Sequence, residues 1–518
     1  MKCIPDLGAI FGDIVGLHAD RTALLYPASG ERISYRTLAR LVDRVAHTLS
    51  DRGVRHGDVV GIFHDKSPDA FATMLACLRL GIVYVNFDPV SPWLRLEKIL
   101  ATCMPRLIIN AYDHCPFQQE LAAAGTVDII DLRSLAAIEP AQPATGHDDR
   151  VVDATSPAYI MFTSGSTGTP KGAVMSQANL TWFIDWARRR FDITPDDVLT
   201  NVNPIYFDNS VFDFYLAIFT GATLVPLNTD EVKQPRLLLR LVEEAGCTLW
   251  FSVPSLLVYL LTMRAITASN LPSVRTLMFG GEGFPKARLR ELYDLFGHRL
   301  VFENVYGPTE CTCICSSHTI TADDFKDMQR LAPLGFVAPH FGFEILPSNN
   351  ADPDYGELFL RGPQVGLGYY NDPQRSRDVF IQNPRHAMHD DRGYRCGDLV
   401  QRDAHGLLHF KGRIDYQIKH MGYRIELQEI EAALGSLAGV MECAVVYCEG
   451  EGGVGQIVAY VVSNVPQPAA DRLSKLATLL PPYMLPRRVS ILAELPKNAN
   501  GKIDRVRLQR TALTDQVA

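Results

Sequence analysis

No stretch of this chain runs the roughly 18 apolar residues that a membrane-spanning helix needs. The N-terminus, MKCIPDLGAIFGDIVGLHAD, carries acids and lacks the layout of a cleavable signal, so a cytoplasmic location is expected. Positive charge is also short: the formal net charge is −8, which excludes a broad basic face for nucleic acid or an anionic membrane. The eleven cysteines include no CxxC pair and sit mostly in apolar settings such as Ala76-Cys77-Leu78, which favours reduced thiols over disulfides. Cys311, Cys313 and Cys315 alternate in CTCIC, a pattern expected on one face of a strand and lacking the CxxC spacing of a zinc knuckle, so a zinc site is not expected on these cysteines. Internal repeats, low-complexity tracts and a serine or cysteine hydrolase motif are all missing.

What is present is a soluble-type composition, 47% hydrophobic and 21% charged, over 518 residues. That length exceeds the roughly 250 to 300 residues at which one core stops growing, so two or more domains are expected. Periodicity predicts a helix over Tyr35 to Arg52, a strand at Val59 to Phe63, a helix at Ser67 to Leu80 and a strand at Leu107 to Asn110. After the Ala- and Pro-rich stretch Ala136 to Arg150, expected to be a surface linker, the pattern resumes. A helix is expected near Asn179 to Arg190, with strands at Thr248 to Phe251, Val274 to Phe279 and Leu300 to Asn304. This alternation implies an α/β fold whose largely parallel, doubly wound sheets carry helices on both faces. Beyond about Asp415 the pattern turns into a small α+β unit: helices at Gln428 to Leu434 and Asp471 to Leu480, strands at Ala444 to Tyr447 and Ile457 to Val462. The run Glu449 to Gly455 between those strands is expected to be a hairpin loop.

The most informative string is Thr163 to Gly172, TSGSTGTPKG, which follows the strand-like Ala158 to Phe162. Glycines let backbone N–H groups approach an anion, hydroxyls donate, and Lys171 adds charge, so the loop suits a polyphosphate. A Walker loop fails, because Pro170 replaces its second glycine and Gly172 its magnesium-binding hydroxyl. A plain Gly/Ser/Thr turn stays open on these residues alone. Asn304-Val305-Tyr306-Gly307-Pro308-Thr309-Glu310 ends another strand; Thr309 can donate to phosphate and Glu310 offers a hard oxygen to Mg²⁺, or the string is a Gly-Pro turn followed by an acid. Gly280-Gly281-Glu282-Gly283 lets backbone approach a flat base. In Tyr394-Arg395-Cys396-Gly397-Asp398, the aspartate suits two ribose hydroxyls.

Taken together, TSGSTGTPKG, YGPTE, the late Asn500-Gly501-Lys502 and the Lys411 to Glu426 stretch resemble the adenylate-forming superfamily of acyl-CoA synthetases, luciferases and nonribosomal peptide synthetase adenylation domains. The resemblance implies a large core over 1–414 and a small mobile domain over 415–518, hinged at Asp415. It implies that Thr163, Ser164, Gly165, Ser166, Thr167, Gly168 and Lys171 hold the phosphates of ATP. Gly281, Glu282, Asn304, Tyr306, Asp398 and Arg413 would hold the nucleoside, with Tyr306 stacked on adenine. Glu310 would bind Mg²⁺, and Lys502 would bridge the substrate carboxylate and the α-phosphate, with Thr309 beside them. Lys419 and Gly422 would line the approach of a thiol in a second hinge state.

Asn203 to Ser210 contains FDxS and resembles the amino-acid-activating members, in which the matching aspartate, here Asp208, pairs with the α-ammonium. The side-chain pocket implied is Asp208, Asn209, Phe212, Ser255, Met278, Gly280, Val305, Cys313 and Ile314. Only Asp208 in that set is charged, so a small to medium neutral amino acid is expected. Phe212 and Met278 are expected to narrow the pocket and Gly280 to open one wall. Since the chain ends soon after Lys502, a free-standing enzyme similar to the D-alanyl carrier protein ligases is expected, with a phosphopantetheinylated carrier protein as partner in trans. A coenzyme A ligase for an aryl or fatty acid is the nearest rival, and a catalytically silent scaffold is the third possibility. An acid without an amine would leave Asp208 without a partner.

Overall fold

The structure, a computed structural model, describes residues 6–125, 127–132, 152–347, 352–449, 455–465, 468–498 and 503–514. The chain forms two compact units: one comprises Met1–Phe87, Cys103–Met161 and Gly172–Ile414, the other Asp88–Thr102, Phe162–Lys171 and Asp415–Ala518.

In the larger unit, local sequence accounts for most elements. Ser34 caps the helix Tyr35–Asp51 by accepting from the Thr37 N–H, and Tyr35, Leu38, Val42, Val45, Ala46 and Leu49 place one apolar stripe in the core. The helix Pro68–Leu80 has Pro68 in its first turn, a Ser67 cap, and Gly81 at φ +65° as its left-handed stop. Among the described residues these helices accompany two large sheets. A seven-stranded sheet runs in the order Gly368–Tyr369, Lys171–Ser176, Pro157–Thr163, Val83–Asn86, Val59–Phe63, Leu107–Asn110, Asp128–Asp131. A nine-stranded sheet has a parallel run of Val301–Tyr306, Thr276–Gly280, Leu249–Ser252, Val198–Asn201, Thr223–Pro226 and Thr22–Tyr26. Antiparallel strands close both its edges. The expected mixed α/β class with parallel sheets is what the chain adopts.

Periodicity assigns nothing to 342–413, where an antiparallel sheet forms from Gly342–Pro347, Tyr355–Arg361, Arg392–Arg402, Phe380–Gln382 and Leu408–Arg413. The expectation that Cys311, Cys313 and Cys315 alternate on a strand is corrected. Thr309–Cys311 is a 3₁₀ turn, Thr312 and Cys313 have φ +57° and +69°, and the strand starts only at Ser316. The left-handed pair folds the chain back onto Gly307, where a Cβ would stand 2.2 Å from the Cys313 carbonyl oxygen, so glycine permits the close approach.

In the smaller unit, the hairpin Gln417–His420/Tyr423–Glu426 turns through Met421 (φ +52°) and Gly422 (φ +81°), the left-handed pair of a two-residue turn. The helix Leu427–Gly435 follows, then antiparallel Val440–Glu449 and Gly455–Ser463, with Arg488–Ile491 parallel to the latter. Ile425, Ile430, Leu434, Val445, Ile457, Val461, Leu476 and Met484 form its core. The second helix spans Ala469–Leu476, stopping short of the expected Leu480, whose side chain turns back onto the same core. The expected linker at Ala136 to Arg150 falls outside the described residues, as does most of the loop after Glu449. Among the described residues no helix is long and apolar enough to cross a membrane.

Candidate functional site

In the larger unit the ends of parallel strands and the turns that leave them gather the motif residues. Asp208 ends the loop after Val198–Asn201 and sits at the N-terminus of the helix Asn209–Thr220 without capping it by its side chain. Its carboxylate instead accepts the Thr309 hydroxyl at 2.6 Å. Thr309 and Glu310 ride on the 3₁₀ turn behind Pro308, both buried. The phenol of Tyr369 donates to Glu310 Oε1 at 2.7 Å, a partner that no motif in the sequence announced.

Asp398 is 2% exposed and both its oxygens are engaged: Tyr306 donates its phenol at 2.5 Å and Arg413 its guanidinium at 2.6 Å. The three motifs carrying Asp208, Tyr306 with Thr309, and Asp398 are therefore joined by two hydrogen-bonded pairs across distant sequence. Burial pushes the Tyr306 phenol well up, and the Asp398 charge adds to this, so Tyr306 is a donor at all ordinary pH.

Around Asp208, the Asn209 amide lies 3.3 Å from where a Cβ on Gly281 (φ +89°) would stand. The Ser255 N–H donates to Glu282 Oε1 at 2.7 Å. Met278 pairs with Glu303 in the neighbouring strand and is fully buried, as is Ile314 to within 1%. A Cβ on Gly280 would meet the Val305 carbonyl oxygen at 2.4 Å, so the close approach of the neighbouring strand demands glycine there. Phe212 packs its ring against Phe183, Phe191 and Phe251, well inside the core. Burial raises the Cys313 thiol, with the Asp208 charge the next cause, which keeps it protonated and a neutral neighbour. Asn304 turns its amide to the Pro333 carbonyl, 2.7 Å away.

Motif reading missed a second acid beneath this site. Asp213 is 1% exposed and accepts the amides of Asn201 (3.1 Å) and Asn203 (3.0 Å). Burial pushes its carboxyl up to about 8, against the amide hydrogen bonds. Nearby in the same cluster, Lys66 donates to the carbonyls of Asn201 and Leu227, both at 2.7 Å. The only sequence signal is an acid inside the apolar helix stretch SVFDFYLAIF, where a buried charge calls for partners.

In the smaller unit the glycine-rich loop is held by its own neighbours. Ser164 Oγ donates to the Arg424 carbonyl (2.7 Å) and accepts the Glu426 N–H (2.9 Å), while the Gly165 N–H donates to Glu429 Oε2 at 3.2 Å. Lys98 Nζ donates to the Gly168 carbonyl at 2.7 Å, and Lys171 Nζ lies 3.9 Å from Glu426 Oε1. Gly168 has φ +76°, and a Cβ there would stand 3.2 Å from Ala432 Cβ. Thr163 Oγ1 is buried with no hydrogen-bond partner among the described residues, while Ser166 and Thr167 are exposed. Burial raises the Glu429 carboxyl, and Arg95, 3.6 Å away, opposes this. Asp415 is exposed and accepts the Gln417 N–H at 3.2 Å; Lys419 and Gly422 lie at the tip of the Gln417–Glu426 hairpin. Lys502 lies outside the described residues.

The chain matches the AMP-binding enzyme model over residues 13–370 and the AMP-binding enzyme C-terminal domain model over 429–502. It is 33% identical to an L-proline–[L-prolyl-carrier protein] ligase of Pseudomonas fluorescens, covering 93% of this chain and 94% of the relative. It is 30% identical to a D-alanine–D-alanyl carrier protein ligase of Bacillus licheniformis, covering 92% and 94%. Among solved structures it resembles a holo peptide-synthetase protein containing adenylation and PCP domains, at a TM-score of 0.82 and 25% identity over 98% of this chain and 84% of that one. Matched along most of its length by family model, sequence and fold, the chain belongs to the AMP-binding, adenylate-forming enzymes, the ligase family that includes the carrier protein ligases.

Proposed function

We propose that this enzyme activates a small to medium neutral amino acid with ATP, releasing pyrophosphate, and passes the aminoacyl group from the adenylate to the phosphopantetheine thiol of a carrier protein. The observation that carries this reading is the Thr309–Asp208 hydrogen bond. It fixes a carboxylate beside the YGPTE turn, where an α-ammonium can pair with it while the substrate carboxylate faces the nucleotide. The prolyl and D-alanyl carrier protein ligases among its relatives support the same class of substrate.

Two anions must meet in the first step, since a carboxylate oxygen attacks the α-phosphorus and pyrophosphate leaves. The protein therefore has to align them and offset the charge that builds. We assign the alignment of the amino acid to Asp208, with Asn209, Phe212, Ser255, Met278, Gly280, Val305, Cys313 and Ile314 bounding its side chain. Asp398, Tyr306 and Arg413 position the ribose and base, with Gly281, Glu282 and Asn304. Thr163 to Lys171 hold the leaving phosphates and Lys502 neutralises the carboxylate and α-phosphate. Glu310 fits Mg²⁺: a fully buried carboxylate beside the Tyr369 hydroxyl offers hard oxygen donors, and the ion would supply charge neutralisation there. In the second step the thiol sulfur attacks the acyl carbon and AMP leaves. We assign Lys419 and Gly422 to the thiol's approach and Asp415 to the hinge about which residues 415–518 move. The same reading places the reaction in the cytoplasm.

Pyrophosphate exchange against a panel of D-, L- and β-amino acids and aryl acids tests this. The expected result is exchange with one or a few small neutral amino acids, lost in Asp208→Ala. Exchange confined to acids without an amine would replace the reading with an acyl- or aryl-CoA ligase.

A further inference from the structure

The turn that joins Phe380–Gln382 to Arg392–Arg402 carries the string His386-Ala387-Met388-His389-Asp390-Asp391, which takes no part in the adenylation site described above. Its His386, His389 and Asp391 each bring one ligand atom to within 4.8 Å of the others, the only such group among the described residues. The two imidazole rings lie 4.5 Å apart, centre to centre. Their backbone is fixed by one side chain: the Gln382 amide donates to the carbonyls of His386 (3.2 Å) and His389 (3.0 Å), and its oxygen accepts the Asp391 N–H (3.0 Å). Asn383 in turn donates to Asp391 Oδ2 at 2.9 Å. His386 donates its Nε2–H to the same oxygen, 3.0 Å away, while its Nδ1 is buried with no hydrogen-bond partner among the described residues.

We propose that this turn is a binding site for one divalent transition-metal ion, with Zn²⁺ as the reference ion, held by His386, His389 and Asp391. Two imidazoles and a carboxylate form the borderline nitrogen–oxygen donor set that favours Zn²⁺ over Mg²⁺ or Ca²⁺. Tetrahedral zinc at ligand distances near 2.0–2.2 Å holds neighbouring donors roughly 3.4 Å apart. The gathered donors are thus about an ångström or so from closure, within reach of the exposed His389 side chain, and water completes the coordination. Gln382 and Asn383 supply the outer hydrogen bonds that orient such ligands. Arg361, 3.4 Å from Asp391, opposes a cation, but it is shared with Glu344 at 3.5 Å, which offsets its charge locally. The ion would tie together the ends of two paired strands, one of which carries Asp398.

Zinc titration of the full chain, stripped of metal by chelation and measured calorimetrically in excess Mg²⁺, tests the site. One Zn²⁺ per chain is expected, with affinity falling at least tenfold in His389→Ala and in Asp391→Asn. Co²⁺ in place of zinc should give d–d bands without a thiolate charge-transfer band. His389 is exposed, so its removal leaves the core intact. The proposal is overturned if the wild-type chain takes up no zinc, if both variants bind as the wild type does, or if the cobalt spectrum carries the thiolate band, which would place the ion on cysteine.

Discussion

Thr309 donates its hydroxyl to Asp208 at 2.6 Å across 101 positions of sequence. The contact joins the FDxS motif, to which we assign the amino group, to the turn that carries Glu310, so under that assignment a change at Thr309 propagates to amino-acid binding. A hydrogen bond to a charged acceptor is worth about 1.5 to 3 kcal/mol. Thr309→Val should therefore lower kcat/KM for the amino acid roughly 10- to 150-fold in pyrophosphate exchange, and Thr309→Ser should restore most of it. A valine variant as active as the wild type would separate Asp208 from this role.

Tyr306→Phe removes one of the two donors on Asp398 and leaves Arg413 in place. The ring still fills its buried site, so thermal stability should move little. KM for ATP should rise about tenfold or more, by the same energy of a charge-assisted bond, while KM for the amino acid stays nearly constant. Equal changes in both constants would show that Asp398 acts on the whole site and not on the ribose.

His64 gives a pH signature of stability. It is 3% exposed, its Nδ1 accepts the Lys66 N–H at 2.9 Å, and burial, then the Lys66 charge, lower its pKa to about 3. The unfolded chain titrates this group near 6.5, so between about 6.5 and 3 the unfolded state binds the extra proton. The contribution is complete above 6.5 and is lost on acidification at about 1.4 kcal/mol per pH unit. His64→Asn keeps an acceptor for Lys66, and denaturant titrations from pH 7 to 4 should give it the shallower slope. Parallel slopes would mean that His64 is protonated in the fold.

Gly280→Ala should destabilise by about 1 to 3 kcal/mol, the usual cost of forcing a methyl into packed backbone, because its Cβ meets the Val305 carbonyl at 2.4 Å. Gly12, in the helix Leu7–His18, has nothing within 4 Å of an added Cβ, so Gly12→Ala should be neutral or stabilising by up to about 1 kcal/mol. Chemical denaturation midpoints distinguish the two, and an unchanged midpoint for Gly280→Ala would contradict the close approach.

Much of the α/β grammar was legible because helix caps and hydrophobic periods act over a few residues. Ser34 and Ser67 mark helix starts, and the strand Val59–Phe63 coincides with its apolar run. The antiparallel sheet over 342–413 was not, since its strands are bounded by turns and their pairing is set by neighbours as far away as Tyr355 and Gln401. The CTCIC expectation failed for a related reason. Alternation predicts a strand only where the chain extends, and here Thr312 and Cys313 take left-handed conformations that fold it back onto Gly307.

By itself the sequence determined the alternating α/β pattern outside 342–413, the ligase family through its motif strings, and the absence of any long apolar span, all of them properties carried by local order along the chain. Only the tertiary structure decided that Thr309 holds Asp208, that Tyr306 and Arg413 share Asp398, that Tyr369 meets Glu310, and that Asp213 lies buried among two asparagines. Those pairings depend on burial, which makes an unpaired polar group costly. Which partner meets that cost is set by the crossing of distant strands, and no spacing within a motif encodes it.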